Sequence, residues 1–551
     1  MTDGFSREIA IRALASPDEE RLLAALSDVQ NRGELAALEL GYADAVAKHL
    51  GSKSSAVVAA AAAALGGMGS AGAKYSDFVA TVLDSDAPKV QTAAATALGA
   101  FGASALEHGD KIAAVVGSAT QDSVKLAAIQ ALGKIGAEGK ADFLAGLLGE
   151  KSPDVQAAAC VALGGLGSTG LKKAGDIAKK LSGADTKCAA CNALSTLGGE
   201  AVAPNVEAIV KNCLPAEDML TRQEALAALG KAPEAALKAT SSISGLLTNG
   251  SPAVRAAATL CLGNMGEKAA EQAPAVTKLL ADENEDETWI PLQVGGGSTR
   301  EPMAMRKPKC AALVALGAMK AAAYINDIVG LLGDADWEVR FCAVEALGVI
   351  GEPAKEVAGK VADLMDDDTY PVRAKACFAI GQLKADDQAD KLSEMLADKG
   401  QVVRAEAVAA LGKMGEAGNQ YTGDMAKLLS DISQNVRSAA CGALAELGES
   451  GRPYASVVAK LLSDPDYNVC ADACTALSKM GAYGAAFAED VASLLTSPYP
   501  PLRAAAASAL GRMGEEAIDF HGALKALGDD PDAAVVKAAS SAAAALTAAD
   551  A

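Results

Sequence analysis

Aromatic residues are scarce in this chain of 551 residues: Trp 2, Tyr 9 and Phe 8, or 3% of the whole. Histidine occurs three times only, at His49, His108 and His521. Few aromatics means that large interior volumes cannot be filled, so elements must lie close together and repeat. Few histidines leave little room for general acid/base chemistry in its usual form. No apolar run approaches the ~20 residues that span a bilayer; the longest, residues 56–65, is almost entirely alanine. The N-terminus has no basic stretch followed by an apolar one, so an intracellular protein is expected, with cytoplasmic as the default and a nuclear location left open. Phosphate-binding loops, nucleophile elbows and zinc-protease helices are missing as well, and no cofactor is expected.

What the chain has instead is alanine, 54 glycines and a net charge of −20. Alanine is the best helix former, which predicts an all-α protein. The acidic balance excludes nucleic acid as a natural partner, because neutralising phosphates takes an excess of Lys and Arg. A basic or neutral protein surface suits it better.

A phrase of valine, a basic residue, small residues, Ala-Leu-Gly and a second Gly three positions later recurs along the chain. Anchored on its Leu, it falls at Leu65, Leu98, Leu132, Leu163, Leu194, Leu229, Leu262, Leu316, Leu347, Ile380, Leu411, Leu444, Leu477 and Leu510, with a degenerate copy at Ala544. The steps are 31 to 35 residues except one of 54. Each unit reads as two helices joined by a turn, with an acidic N-cap before the second helix and a glycine C-cap after it. Units of this size cannot bury a face alone and stack into a solenoid.

Residues 334–351, DADWEVRFCAVEALGVIG, resemble a HEAT repeat, most closely the short variety called PBS-lyase HEAT-like. The resemblance covers roughly residues 33–546 and implies a right-handed α-solenoid, an armadillo-like superhelix of about 15 helix pairs. At ~8–10 Å per packed element that is an arc on the order of 120–150 Å. The predicted organisation is an N-terminal helical cap (1–32), N-terminal repeats (33–281), an insertion loop (282–308) and C-terminal repeats with a cap (309–551).

Seven before the anchor stands a basic residue, including Arg255, Arg340, Arg373, Arg404, Arg437 and Arg503. Asp334, Asp367, Asp398, Asp431 and Asp464 recur six residues earlier than this slot. A feature present in every unit specifies the fold, so these are assigned to a structural ladder of caps and ion pairs. Of eleven cysteines, Cys160, Cys191, Cys377, Cys441 and Cys474 share one slot three before the anchor, where other units carry Ala. That is a buried small-residue position. Cys188 and Cys191 have metal or redox spacing but no second pair, and no metal site is assigned. Cys470, standing where Arg usually stands, is expected to be the accessible thiol.

Specificity must come from departures. On the helix face that the resemblance places inside the solenoid these are Leu260, Val314, Glu345, Lys375, Phe378 and Glu406; in the acidic, then Gly-rich, then basic insertion they are Trp289 and Arg300. These eight are the candidate partner-binding residues, and no catalytic residue is proposed. The leading function is a non-enzymatic protein-binding scaffold. Two alternatives rest on resemblance alone: a bilin-lyase-like chromophore-attachment factor, and a regulatory scaffold subunit of the phosphatase type. The di-iron HEAT enzyme deoxyhypusine hydroxylase is excluded, since its metal site needs His-Glu pairs and the chain has no His-Glu dipeptide.

Overall fold

The computed structural model describes residues 11–40, 42–286 and 306–549. Among these every regular element is a helix and none is a strand. The chain forms two compact units, Met1–Met265 and Gly266–Ala551. In the first, a helix bent at Gly33 (Glu19–Leu40) precedes seven second helices: Ser55–Gly67, Pro88–Ala100, Asp122–Lys134, Pro153–Gly164, Lys187–Leu197, Met219–Lys231 and Pro252–Asn264. The other unit has eight: Pro308–Ala318, Trp337–Ile350, Tyr370–Leu383, Gln401–Lys413, Gln434–Glu446, Tyr467–Lys479, Pro500–Met513 and Ala533–Ala549. Between them run shorter first helices ending in 3-10 turns, such as Ala358–Ala362 into Asp363–Asp366. One helix of five residues has no stability of its own; its apolar side is held against the second helices.

The fifteen anchors fall one to each second helix, and Leu65 through Leu510 are buried. Proline opens several of these helices, where its missing N–H is no loss. Four residues past the anchor the backbone turns left-handed, at Gly69, Gly415 and Gly481 among others. Lys320 and Lys384 take that position in two repeats, at φ 53° and 48°.

The glycine that immediately follows the anchor does something the sequence pattern did not reveal. It is a contact point between successive second helices. A Cβ on Gly412 would lie 2.7 Å from Ala443 Cα, and one on Gly66, Gly164 or Gly317 would lie 2.9 Å from the Cα of Ala97, Ala193 or Ala346. Each glycine meets the alanine one before the next anchor. By that register Gly511 meets Ala542, so the last anchor is Ala543, which is buried, and not Ala544, which is exposed.

Two polar ladders tie neighbouring repeats. In the second unit each arginine of the ladder slot bridges two turns. Arg404 donates Nε and Nη2 to Asp431 in the next repeat (both 2.8 Å) and Nη1 to the Asp398 carbonyl in its own (2.8 Å). Arg340–Asp367, Arg373–Asp398, Arg437–Asp464 and Arg503–Asp530 repeat the geometry, with Nε···O distances of 2.7 to 2.8 Å. The carboxylates also accept from a backbone N–H two residues on, as Asp431 does from Ser433 (2.9 Å). They therefore hold the turn ahead of the helix instead of capping it; the N-caps are residues such as Asp336 and Asp466. Burial raises the carboxyls of Asp398 and Asp431, but hydrogen bonds and charge from Arg373 and Arg404 outweigh it and hold both below the usual range. In the first unit Arg255 reaches the carbonyls of Asn249 and Gly250 (2.7 and 3.1 Å).

The other ladder joins first helices. An acid in the first turn of one faces a donor about 31 residues on, Asp44 with Tyr75, Asp110 with Lys140, Asp142 with Lys173 and Asp390 with Tyr421, and at the same register Asp77 lies 3.4 Å from His108 Nε2.

The arginine ladder is interrupted once, and both sides of the gap change together. Cys470 replaces the arginine, and Ser497 stands where its aspartate partner would be. Cys470 Sγ keeps the turn contact, to the Asp464 carbonyl at 3.2 Å. Ser497 keeps the other, accepting from Tyr499 N–H at 3.3 Å. Only the ion pair is lost.

Two outcomes follow for urea unfolding. Gly412→Ala substitutes a better helix former yet lowers stability by about 1–3 kcal/mol, since its Cβ has no room; an unchanged midpoint contradicts the contact. Arg404→Met, leaving the half-buried Asp431 carboxylate without its guanidinium, costs about 2 kcal/mol, whereas Arg404→Cys combined with Asp431→Ser costs at least about 1 kcal/mol less. A double variant no more stable than the single one refutes the bridging role.

Candidate functional site

Four of the eight departures come together on three adjacent second helices of the second unit: Trp337–Ile350, Tyr370–Leu383 and Gln401–Lys413. Lys375 Nζ lies 3.1 Å from Glu345 Oε1. The same ammonium sits over two rings, 4.9 Å from the centroid of Phe341 and 4.8 Å from that of Phe378. Lys413 approaches the Phe378 ring at 5.7 Å. Burial pushes the Glu406 carboxyl up, against the pull of Lys375 and Lys413. The cluster alternates sign around two phenylalanines, in a chain with eight.

Phe341 and Lys413 were not among the residues expected here. Phe341 lies one helical turn before Glu345 and so shares its face. Following i, i+4 neighbours of the departures would have found it in the sequence.

The remaining departures lie elsewhere. Val314, expected as an exposed groove residue, is 9% exposed and part of a helix buried along its length from Pro308 to Gly317. Glu345 is also buried, and Leu260, in the first unit, is half-buried. On the face that carries Leu260, Val314 and Phe378, these departures therefore do not form a contiguous row of exposed apolar side chains. Trp289 and Arg300 lie outside the described residues. What is described of the insertion is its base, where acidic and basic arms pair with each other. Asp286 N–H donates to the Arg306 carbonyl (3.0 Å), Arg306 bridges Glu285 and Glu338, and Lys307 meets Asp336 and Glu338. Lys309, in the ladder slot, reaches Glu283 and, at 3.4 Å, Asp334.

Nothing in these groups makes a nucleophile with an adjacent base. The cysteines are buried except Cys188, which is half-buried. Burial pushes Cys160, Cys441 and Cys474 up to about 12, and a hydrogen bond with Cys213 together with burial pushes Cys191 up. Thiols held this way are poor nucleophiles and poor ligands. The accessible thiol is thus Cys188, not Cys470: Cys470 is 4% exposed because it occupies the arginine's slot against the Asp464 carbonyl. Asp77, Glu107 and His108 bring donor atoms within 4.8 Å of one another, but Asp77 and His108 are a rung of the first-helix ladder, in series with Tyr75 and Lys140. Two furrows between second helices of the first unit, ≈ 620 and ≈ 710 Å³, are lined mostly by alanine, glycine and uncharged polar side chains such as Thr96 and Asn192. No helix among the described residues is long and apolar enough to cross a membrane.

Comparison with known proteins agrees with this architecture. A family model described as HEAT repeats matches residues 76–164, 110–187, 206–289, 306–372, 357–420 and 455–547. Importin beta, crystallised in an ammonium sulfate condition, superposes with a TM-score of 0.64 at 14% identity, over 98% of this chain and 84% of that one. The Kap95:Nup1 complex gives 0.60 at 13% identity, over 98% and 90%. At such identities the likeness is one of fold. No curated protein matches the chain.

Thiol labelling without denaturant should modify Cys188 first and leave the other ten cysteines unreacted on the same timescale, as read by peptide mass mapping. Cys470 reacting as fast as Cys188 contradicts its placement.

Proposed function

The chain belongs to the HEAT-repeat family, and on that premise we propose that it is a non-enzymatic scaffold holding a partner protein on the face of its second helices, centred on Phe378. The observation that carries this is the gathering of Glu345, Lys375, Phe378 and Glu406, with Phe341, on three successive repeats. The glycines, alanines and ladder residues recur and serve the stack, so a residue particular to one repeat is free to serve a contact. A half-buried aromatic ringed by charge has the make-up of an interface anchor. The paired acids and lysines around it set the register of a partner with charges of both signs, and the net charge of −20 favours one that is neutral or basic overall. In this reading the protein works in the cytoplasm, with the insertion at 282–308 flanking the same partner through Trp289 and Arg300. A bilin-lyase role gains no support, because the only rings in the cluster are two phenylalanines already holding the Lys375 ammonium between them.

The test is quantitative co-purification with wild-type chain and with Phe378→Ala, Trp289→Ala and deletion of 284–305, each checked for unchanged thermal midpoint. A proteinaceous partner should be depleted about tenfold by Phe378→Ala, and its retention should fall with added salt. Full retention by all three variants removes the cluster as the site. Turnover of a substrate by the isolated chain removes the scaffold itself.

A further inference from the structure

The first-helix ladder has one rung that does not close. At Asp44–Tyr75, Asp110–Lys140, Asp142–Lys173 and Asp390–Tyr421 the donor meets the acid directly. His108 Nε2 lies 3.4 Å from Asp77 Oδ1 without making a hydrogen bond to it, and the nitrogen is buried with no other partner. The other two histidines of the chain are matched. His49 Nε2 stands 2.8 Å from the Leu14 carbonyl oxygen, and His521 Nε2 stands 3.1 Å from Thr547 Oγ1. A buried ring nitrogen with nothing to bond is costly to keep.

A second acid stands at this rung and at none of the other four. Glu107, just before His108, brings Oε1 within 3.9 Å of the same Nε2. The residues just before the other donors are Lys74, Gly139, Lys172 and Gln420. A rung needs one acid and one donor, so a second carboxylate exceeds what the ladder requires. Among the described residues neither Asp77 nor Glu107 pairs with a lysine or arginine.

The separations suit a metal ion better than a shared proton. An N–H···O bond spans about 2.7–3.2 Å. Nitrogen and oxygen ligands at about 2.0–2.2 Å from one tetrahedral zinc stand about 3.3–3.5 Å from each other. The 3.4 Å contact of Asp77 is already such an edge. Glu107 has about 0.5 Å to close, and its side chain is 71% exposed and has room to rotate. The imidazole is held by the backbone on both sides. His108 ends the 3-10 stretch Gly102–His108 and is the N-cap of Gly109–Ser118, whereas Asp77 belongs to Ser76–Thr81 in the repeat before. One imidazole with two carboxylates suits zinc, while calcium and magnesium take a fuller set of oxygens. Three protein ligands leave the fourth position to water.

We propose that Asp77, Glu107 and His108 bind one zinc ion, which closes the open rung and ties two successive repeats of the first unit together. The site shares no residue with the Phe378 cluster.

The test titrates the metal-free full-length chain with zinc chloride in a calorimeter and follows the thermal midpoint by circular dichroism. His108→Tyr copies the rungs at Tyr75 and Tyr421, so it keeps a donor for Asp77 while removing the ligand. Glu107→Gln changes an exposed side chain, and Cys188→Ser controls for zinc taken up by the accessible thiol. The expected result is one zinc per chain, saturating below about 100 μM, with a midpoint that rises as zinc is added. His108→Tyr should lose both effects, Glu107→Gln should bind at least about tenfold more weakly, and Cys188→Ser and Phe378→Ala should bind as the wild type does. Calcium and magnesium should bind at least about tenfold more weakly than zinc. Cobalt in place of zinc should give the visible bands of four-coordinate ligation without thiolate charge transfer. No saturation by about 1 mM zinc overturns the inference, as does full affinity in either His108→Tyr or Glu107→Gln. Should His108→Tyr fail to fold, Glu107→Gln alone decides. Loss of binding in Cys188→Ser, calcium bound as tightly as zinc, or several weak sites indifferent to every variant (an adventitious ion only) also overturns it.

Discussion

Everything regular in this molecule depends on how closely one second helix can approach the next. The approach is set by a hydrogen atom. In most repeats where a glycine follows the anchor it meets the backbone of an alanine in the following repeat (Gly230 is an exception), and a methyl group on Gly133 would fall 2.6 Å from Ala162 Cα. A spacing this short leaves little volume between helices, so alanine, cysteine and valine fill the slots around it and few aromatic side chains, such as Tyr42, Phe101 and Phe341, find a place inside. The poverty in Trp, Tyr and Phe follows from the contact; it is not a separate property of the composition.

Close backbones also determine where the polar groups go. The turns between helices are brought within reach of one another, and an arginine can touch its own turn and the next at once. The fork of Arg437 does so with Nε and Nη2 on Asp464, both at 2.7 Å, and Nη1 on the Asp431 carbonyl at 2.9 Å. Fork geometry of this kind is open to arginine and closed to lysine. Lys309, at the start of the same series, makes a 3.4 Å contact with Asp334 and takes Glu283 from the base of the insertion as its second partner. Each repeat contacts mainly its neighbours, so stability is close to a sum of local terms. Residues that take no part in those terms are the ones available for recognition.

The fold was legible because it repeats. Fifteen copies average out the noise in any one, and the anchor leucines, the turn glycines and the Arg–Asp spacing could all be read from sequence. Less legible was whatever depends on three-dimensional register. The glycine after Leu411 looked like part of a helix end, because the alanine it meets, Ala443, lies a full repeat away. Val314 looked available on a helix face and is buried; a helical register states a direction, not what lies in that direction. Lys375, Glu345 and Phe378 were singled out as irregular without any sign that they touch, since Lys375 reaches back across a repeat to Glu345. Trp337, Tyr370, Tyr467 and Tyr499 went unremarked because they sit at the starts of their helices, where the anchor pattern has no slot for them. Cys470 drew notice for the right reason, its place in the arginine slot. The expected exposure failed because a thiol is short enough to be enclosed there.

The gap at Cys470 and Ser497 has a mechanical meaning. A row of identical springs shares an applied strain evenly, and a row with one softer link does not. Here the repeats on either side of the gap keep their helix contacts, with Tyr467 stacked on Tyr499 across it, but lack the charged tie that the preceding repeats possess. Bending or pulling on this unit would concentrate its deformation at that joint, leaving the repeats before it moving as one stiff body and the last two as another. The tyrosine pair spanning the joint would then be the first contact to slide.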